Sequence, residues 1–147
     1  MPSLAQRGFL GFVAGALAVL VFHQGLAMLF HLTGLLAQAP FRLMLVPPLW
    51  VPAVVSLCFW GGLYGAAAAL LQARAKLAPW TAALILAVVA TLLRWLVFAP
   101  LEGHAIAFGF AAWPMGRSLL LQLAWALGFV ALLPALTPRP LLRRAVG

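Results

Sequence analysis

A chain of 147 residues that is 67% hydrophobic and only 7% charged is too apolar for a water-soluble domain, in which roughly a quarter of residues carry charge. Nine Lys and Arg stand against one Asp or Glu, a formal charge of +8. That excess suits anionic headgroups and membrane topology and excludes nucleic acid as a partner, because the basic residues are scattered and no soluble fold gathers them into a patch.

Four apolar runs fill the sequence: Gly8–Leu36, Val51–Gln72, Pro79–Phe98 and Ser118–Leu136. Each is about the ~20 residues that a helix needs to cross a hydrocarbon layer. The fold class expected is therefore all-α, a polytopic four-transmembrane-helix bundle forming one domain over 1–147. The first run carries no Asp, Glu, Lys or Arg and exceeds the ~7–15 residues of a signal-peptide core, so it reads as a retained helix. As a helix it would measure about 44 Å, so it must tilt or emerge into the headgroups. Gly11 and Gly15 within it form a small-xxx-small pair that lets a second helix approach closely.

The connection Ala39–Pro52 holds Pro40, Arg42, Pro47, Pro48 and Pro52; repeated prolines favour extended or turn backbone. In the second run Gly61 and Gly65 repeat the small-xxx-small spacing and Ala66–Ala69 follow, a smooth surface for helix packing. Cys58 lies in this run; a lone thiol forms no internal disulfide and no zinc cluster, and packs as a small hydrophobe. The connection that follows carries Arg74 and Lys76, and Pro79 suits the first turn of the third helix. Arg94 and Trp95 fall in that helix's last turns. The stretch Ala99–Arg117 then holds Pro100, Glu102, His104, Trp113 and Pro114 around an apolar centre, Ala105–Ala112, which lies in the interface or dips in as a short re-entrant piece. The fourth helix ends before a tail with Arg139, Arg143 and Arg144.

With four spans both termini share a side. Arg7, Arg74, Lys76, Arg139, Arg143 and Arg144 fall on that side, and Arg42, Arg94 and Arg117 on the other. The bias places both termini in the cytoplasm. It also places most of the unusual polar residues toward the outer half. His23, Gln24, His31, Arg94 and Gln122 are the candidate lining of an outward polar vestibule, since intramembrane His and Gln are costly unless they face protein or water. Glu102, the one acidic residue, lies in an outer loop with His104 and near Arg117 and Arg94. These are the candidates for an outer ion pair or a proton-handling pair.

No carboxylate falls within a span, and there is no Ser–His–Asp set, paired carboxylates or phosphate-cradling loop. Catalytic residues, a metal and a cofactor are accordingly not expected. A haem between two helices of one chain is disfavoured because His23 and His31 share one helix and His104 is in a loop. Phe22–Gly25, Pro40–Phe41–Arg42, Val46–Pro47–Pro48 and Ser56–Gly62 resemble patterns in uncharacterised small integral membrane proteins of bacteria. The resemblance covers the first two helices, implies a bacterial inner-membrane location and carries no mechanism. The leading expectation is a non-enzymatic accessory or helix-packing subunit, whose partners are the lipid bilayer and either a second copy or another membrane protein. A small transporter or channel with an outward vestibule is the first alternative. A haem- or quinone-associated redox subunit is the second, since quinones favour apolar clefts with a few polar groups.

Overall fold

The computed structural model describes residues 3–47 and 50–137. Pro48 and the tail arginines Arg139, Arg143 and Arg144 lie outside the described residues. Four helices are long and apolar enough to cross a membrane: α1 Leu4–Leu32, α2 Ala53–Ala75, α3 Pro79–Leu101 and α4 Ala112–Leu136. They pack in a ring, α1 on α2, α2 on α3, α3 on α4, and α4 back on α1. The end that holds Ser3 and Thr137 is the terminal end. The end that holds the two long connections is the loop end.

The start of α3 at Pro79 and the end of α4 at Leu136 match the apolar runs, and several other boundaries differ from them for local reasons. α1 starts at Leu4 rather than Gly8 because Ser3 caps it: the Ser3 hydroxyl accepts from the Gln6 N–H at 3.2 Å and the Gln6 side chain accepts from the Ser3 N–H at 2.8 Å, a reciprocal box that satisfies two orphan donors. It ends at Leu32 rather than Leu36 because Gly34 turns to φ +77° and the Leu36 N–H returns to the Phe30 carbonyl at 3.0 Å. α2 begins at Ala53 because Val51–Pro52 (β2) is already paired with Leu45–Val46 (β1) in a two-residue antiparallel ladder. α3 continues through Pro100 to Leu101; a π-turn at Arg94–Phe98 has already broken the regular ladder just before the proline. α4 begins at Ala112, six residues before Ser118. Pro114 falls in the first turn, where its missing N–H costs nothing.

The tightest contact is the α1–α2 seam. A Cβ built on Gly11 would stand 2.5 Å from the Gly65 carbonyl oxygen, and one on Gly15 2.2 Å from that of Gly61. From the other side, a Cβ on Gly65 would stand 2.2 Å from the Gly11 oxygen, and one on Gly61 2.3 Å from the Val19 side chain and 3.2 Å from the Gly15 oxygen. The two helices therefore touch backbone to backbone at these four glycines, an approach that only residues without side chains permit. Into this seam α4 inserts Trp125, 1% exposed, whose indole N–H donates to the Gly15 carbonyl at 3.0 Å. Trp125 stacks on buried Phe129 and takes the edge of Tyr64. Around it the core consists of alanines, Ala14, Ala18, Ala68, Ala82, Ala83 and Ala87 among them, so one large ring fills the space that small residues leave.

That core sits toward the terminal end. On α2 no residue before Gly61 is buried, on α4 none before Trp125, and on α3 none between Arg94 and Phe98. α1 explains part of this asymmetry. Its buried stripe runs Gly11, Ala14, Gly15, Ala18, and an unbroken α-helix would continue it to Phe22, Leu26 and Leu29. A π-turn at Val19–His23 intervenes and shifts the register by one residue. Ala27 and Phe30, each one place later, come inside, with Gln24 a turn before them. Beyond the π-turn, Gln24–Leu32 keeps its contact with α4 but no longer packs on α2.

Candidate functional site

The polar side chains singled out by the sequence lie toward the loop end, and the structure shows what most of them bind. Gln24 is 4% exposed. Its Oε1 accepts the Phe41 backbone N–H at 2.8 Å, and its Nε2 donates to His23 Nδ1 at 3.4 Å. An acceptor Nδ1 places the His23 proton on Nε2 and leaves the ring neutral. Residue 42 then completes the strap: the Arg42 carbonyl accepts the Val54 N–H at 3.1 Å, and the Met44 carbonyl accepts that of Ala53 at 2.9 Å. These bonds satisfy two of the orphan donors of α2, which has no side-chain cap. Neighbouring residues of the first connection thus hold α1 through Gln24 and α2 through its first turn, at the end where the two helices have parted.

His31 caps its own helix. Its Nδ1–H donates to the Leu36 carbonyl at 2.9 Å, and Thr33 returns its hydroxyl to the Leu29 carbonyl at 2.8 Å. On the other side of the bundle, Trp95 donates its indole N–H to Ser118 Oγ at 2.6 Å, and Ser118 in turn donates to the Met115 carbonyl at 2.8 Å. This chain ties the last turns of α3 to the start of α4. Gln122 differs from all of these: it lies on the α4 face shared with Ser118, Trp125 and Phe129 by its spacing, yet it hydrogen-bonds no described residue.

The outer ion pair takes Glu102 from the candidates, with Arg94 rather than Arg117 or His104 as its partner. Glu102 accepts from Arg94 at 2.6 Å, both side chains partly exposed. Arg117 forms no ion pair among the described residues, and His104 lays its ring against Phe108 at 5.7 Å instead of meeting Glu102. Arg94 reaches both groups because it opens the α3 π-turn: its guanidinium also lies 5.5 Å from the Phe108 ring centre, a cation–π contact. Phe108 belongs to a turn in which Ala107, Phe108, Gly109 and Phe110 all have φ between 48° and 65°. Left-handed backbone costs roughly 1–2 kcal/mol per residue with a side chain. The Arg94 and His104 contacts on Phe108, and the burial of Ala107, hold the turn in place.

Among the five proposed vestibule residues one hydrogen-bonded pair forms. His23 and Gln24 bond each other, but no hydrogen bond joins them to His31, Arg94 or Gln122. Two surface depressions lie elsewhere. One lies along Thr81–Val89 of α3, and the other is about 190 Å³ between the β-ladder and the start of α2, lined by Val46, Pro47, Val51, Val55, Phe59 and Trp60. Among the described residues no three His, Cys, Asp or Glu side chains group as metal ligands, and no buried side-chain nitrogen or oxygen lacks a partner.

Two features escaped the sequence reading. The π-turns carry no composition signal. Trp125 did carry one: a tryptophan about two turns inside an apolar run is displaced from the interfacial belt where membrane tryptophans collect, and a buried indole N–H needs an acceptor. Comparison of the chain with family models, with curated proteins and with solved structures finds no match.

Proposed function

We propose that this chain is a four-span bacterial inner-membrane protein without catalytic activity, an accessory or helix-packing subunit with both termini in the cytoplasm and the loop end outside. The observation that carries the reading is where the polar groups of the helices point. Gln24, His31, Arg94, Trp95 and Trp125 each bond another part of the same chain. Their role is to close caps, straps and helix contacts in a solvent that supplies no hydrogen bonds. The surface left over is apolar along every helix, as lipid or a second membrane subunit requires. Six basic residues in the terminal segments and the middle connection of the sequence, against three in the other two connections and their flanks, support the orientation. The small-residue faces are used inside the chain, by α1 on α2, so a partner would meet the larger apolar side chains of α3 or α4.

The test is mild solubilisation of the natural membrane followed by native purification. A second membrane protein at fixed stoichiometry, lost in harsher detergent, is the expected result. A chain that elutes alone under the mildest conditions overturns the accessory role.

A second reading, a small transporter with an outward vestibule, is favoured by Gln122, an amide within a span that hydrogen-bonds no described residue and has a place on the inward face of α4. Gln122→Leu removes that amide without breaking a bond the fold uses. Ion or solute flux in proteoliposomes that disappears in this variant would establish the transporter. Flux absent from the parent protein would remove it.

A further inference from the structure

Both connections at the loop end expose large apolar side chains that no described residue covers. Leu43 and Trp50 in the first connection, and Ile106 and Phe110 in the second, are each more than half exposed, Leu43 at 74% and Phe110 at 78%. The connection at the terminal end, Lys76–Ala78, exposes no large apolar side chain and follows Arg74. The two ends of the bundle are therefore built for different surroundings.

The local backbone holds these side chains out. The left-handed turn buries Ala107 and pins Phe108 between Arg94 and His104, leaving Ile106 and Phe110 on its outer side. In the first connection the β-ladder and the Gln24 strap fix the backbone on either side of Leu43. Charge at this end is one-sided. Glu102 is taken by Arg94, so Arg42 and Arg117 have no acidic partner among the described residues; Arg42 bonds only the Gln38 and Met44 side chains. Aromatic and aliphatic tips beside uncompensated arginines are the composition of a segment lying at the boundary between headgroups and acyl chains.

Resting on the four-span reading, we propose that the two connections form an interfacial cap on the outer leaflet. Leu43, Trp50, Ile106 and Phe110 enter the acyl boundary, and Arg42 and Arg117 bind lipid phosphate. The cap is a lipid-binding surface, and the strained turn and the Gln24 strap are the devices that present it.

The experiment uses the full chain in lipid nanodiscs. Cys58→Ala provides the background, and a single cysteine is placed in turn at Leu43, Phe110, Val88 and Lys76. Each carries an environment-sensitive fluorophore, read against aqueous iodide and against lipids bearing a nitroxide near the headgroup or deep in the chain. At Leu43→Cys and Phe110→Cys, shallow-nitroxide quenching should exceed that at Lys76→Cys by at least about twofold and iodide quenching should fall by a similar factor, as for an interfacially buried side chain. Iodide access equal to that at Lys76→Cys overturns the cap. So does shielding from both quenchers, which means that protein covers the surface. Val88→Cys keeps the two readings apart: deep-nitroxide quenching there is expected whatever the cap does, and its absence refutes the four-span reading instead. Arg42→Gln with Arg117→Gln should reduce lipid quenching at Phe110→Cys by about half if phosphate holds the cap down; unchanged quenching overturns the phosphate contact.

Discussion

Adding one methyl group to Gly15 tests the backbone seam on which the bundle rests. The new Cβ would lie 2.2 Å from the Gly61 carbonyl oxygen and 3.0 Å from both Gly61 C and Gly65 Cα. All three are backbone atoms, so no rotamer change relieves the clash, and α1 must move off α2 by about 1 Å to restore ordinary contact. A gap of that size forfeits about a quarter to a half of each dispersion contact it opens, and it draws the Gly15 carbonyl away from Trp125. Overpacking of this kind costs about 1–3 kcal/mol, with backbone obstacles toward the upper end. Alanine's better helix propensity returns about 0.8–1 kcal/mol, leaving a net loss of about 2 kcal/mol. Gly25 and Gly116 provide the control, because a Cβ on either meets nothing within 4 Å. Gly25→Ala and Gly116→Ala should raise stability by about 0.5–1 kcal/mol. Gly15→Ala and Gly25→Ala should thus differ by about 3 kcal/mol, about a hundredfold in the unfolding equilibrium. Reversible unfolding in mixed micelles, followed by tryptophan fluorescence, measures the difference. Gly15→Ala combined with Gly61→Ala should cost less than the sum of the two, since one opening relieves both clashes. A Gly15→Ala protein as stable as the parent would refute the seam.

Three further outcomes follow from the hydrogen bonds. Trp125→Phe removes the indole N–H from the Gly15 carbonyl and leaves a small void among alanines; a loss of about 1–3 kcal/mol in the same assay is expected, and an unchanged midpoint would contradict the contact. Gln24→Leu leaves the Phe41 N–H without its acceptor, at about 1–2 kcal/mol; because the strap is local, amide exchange should accelerate over residues 38–46 while the glycine seam stays protected, and uniform acceleration would count against a local role. Glu102→Gln breaks a partly exposed pair and should cost under about 1 kcal/mol; a larger loss would mean that Arg94 depends on Glu102 to hold the Phe108 turn.

How much of this was legible in the sequence depends on the length of each interaction along the chain. Four apolar runs of membrane length give four helices, and a four-residue glycine spacing in two neighbouring runs marks a seam, because both signals are local and periodic. The partner of Glu102 was legible only as a choice among nearby cations. Arg94 prevails because the π-turn aims it at both Glu102 and Phe108, and a π-turn has no spelling. The same limit applies to Gln24, which a regular helix would leave beside the core and which the π-turn at Val19–His23 brings inside.

That register shift yields a prediction of its own. A π-turn accommodates one extra residue without lengthening the helix by a full step. Deleting Val21, which is 59% exposed within the turn, should let Val19–His23 relax to regular α-helix while Gln24, Ala27 and Phe30 keep facing inward. The bonds from Gln24 to Phe41 and from Trp125 to Gly15 lie on either side of the deletion and both survive it. Deleting Leu123, likewise an exposed residue but in the unbroken part of α4, has the opposite consequence. Every residue beyond it turns by about 100° relative to those before it, so Ser118 can no longer meet Trp95 while Trp125 meets Gly15. The Val21 deletion should therefore unfold within about 1 kcal/mol of the parent, and the Leu123 deletion should lose several kcal/mol, on the scale of a broken core contact. Equal damage from the two deletions would show that the turn at Val19–His23 does not set the register of α1, and the placement of Gln24 would need another cause.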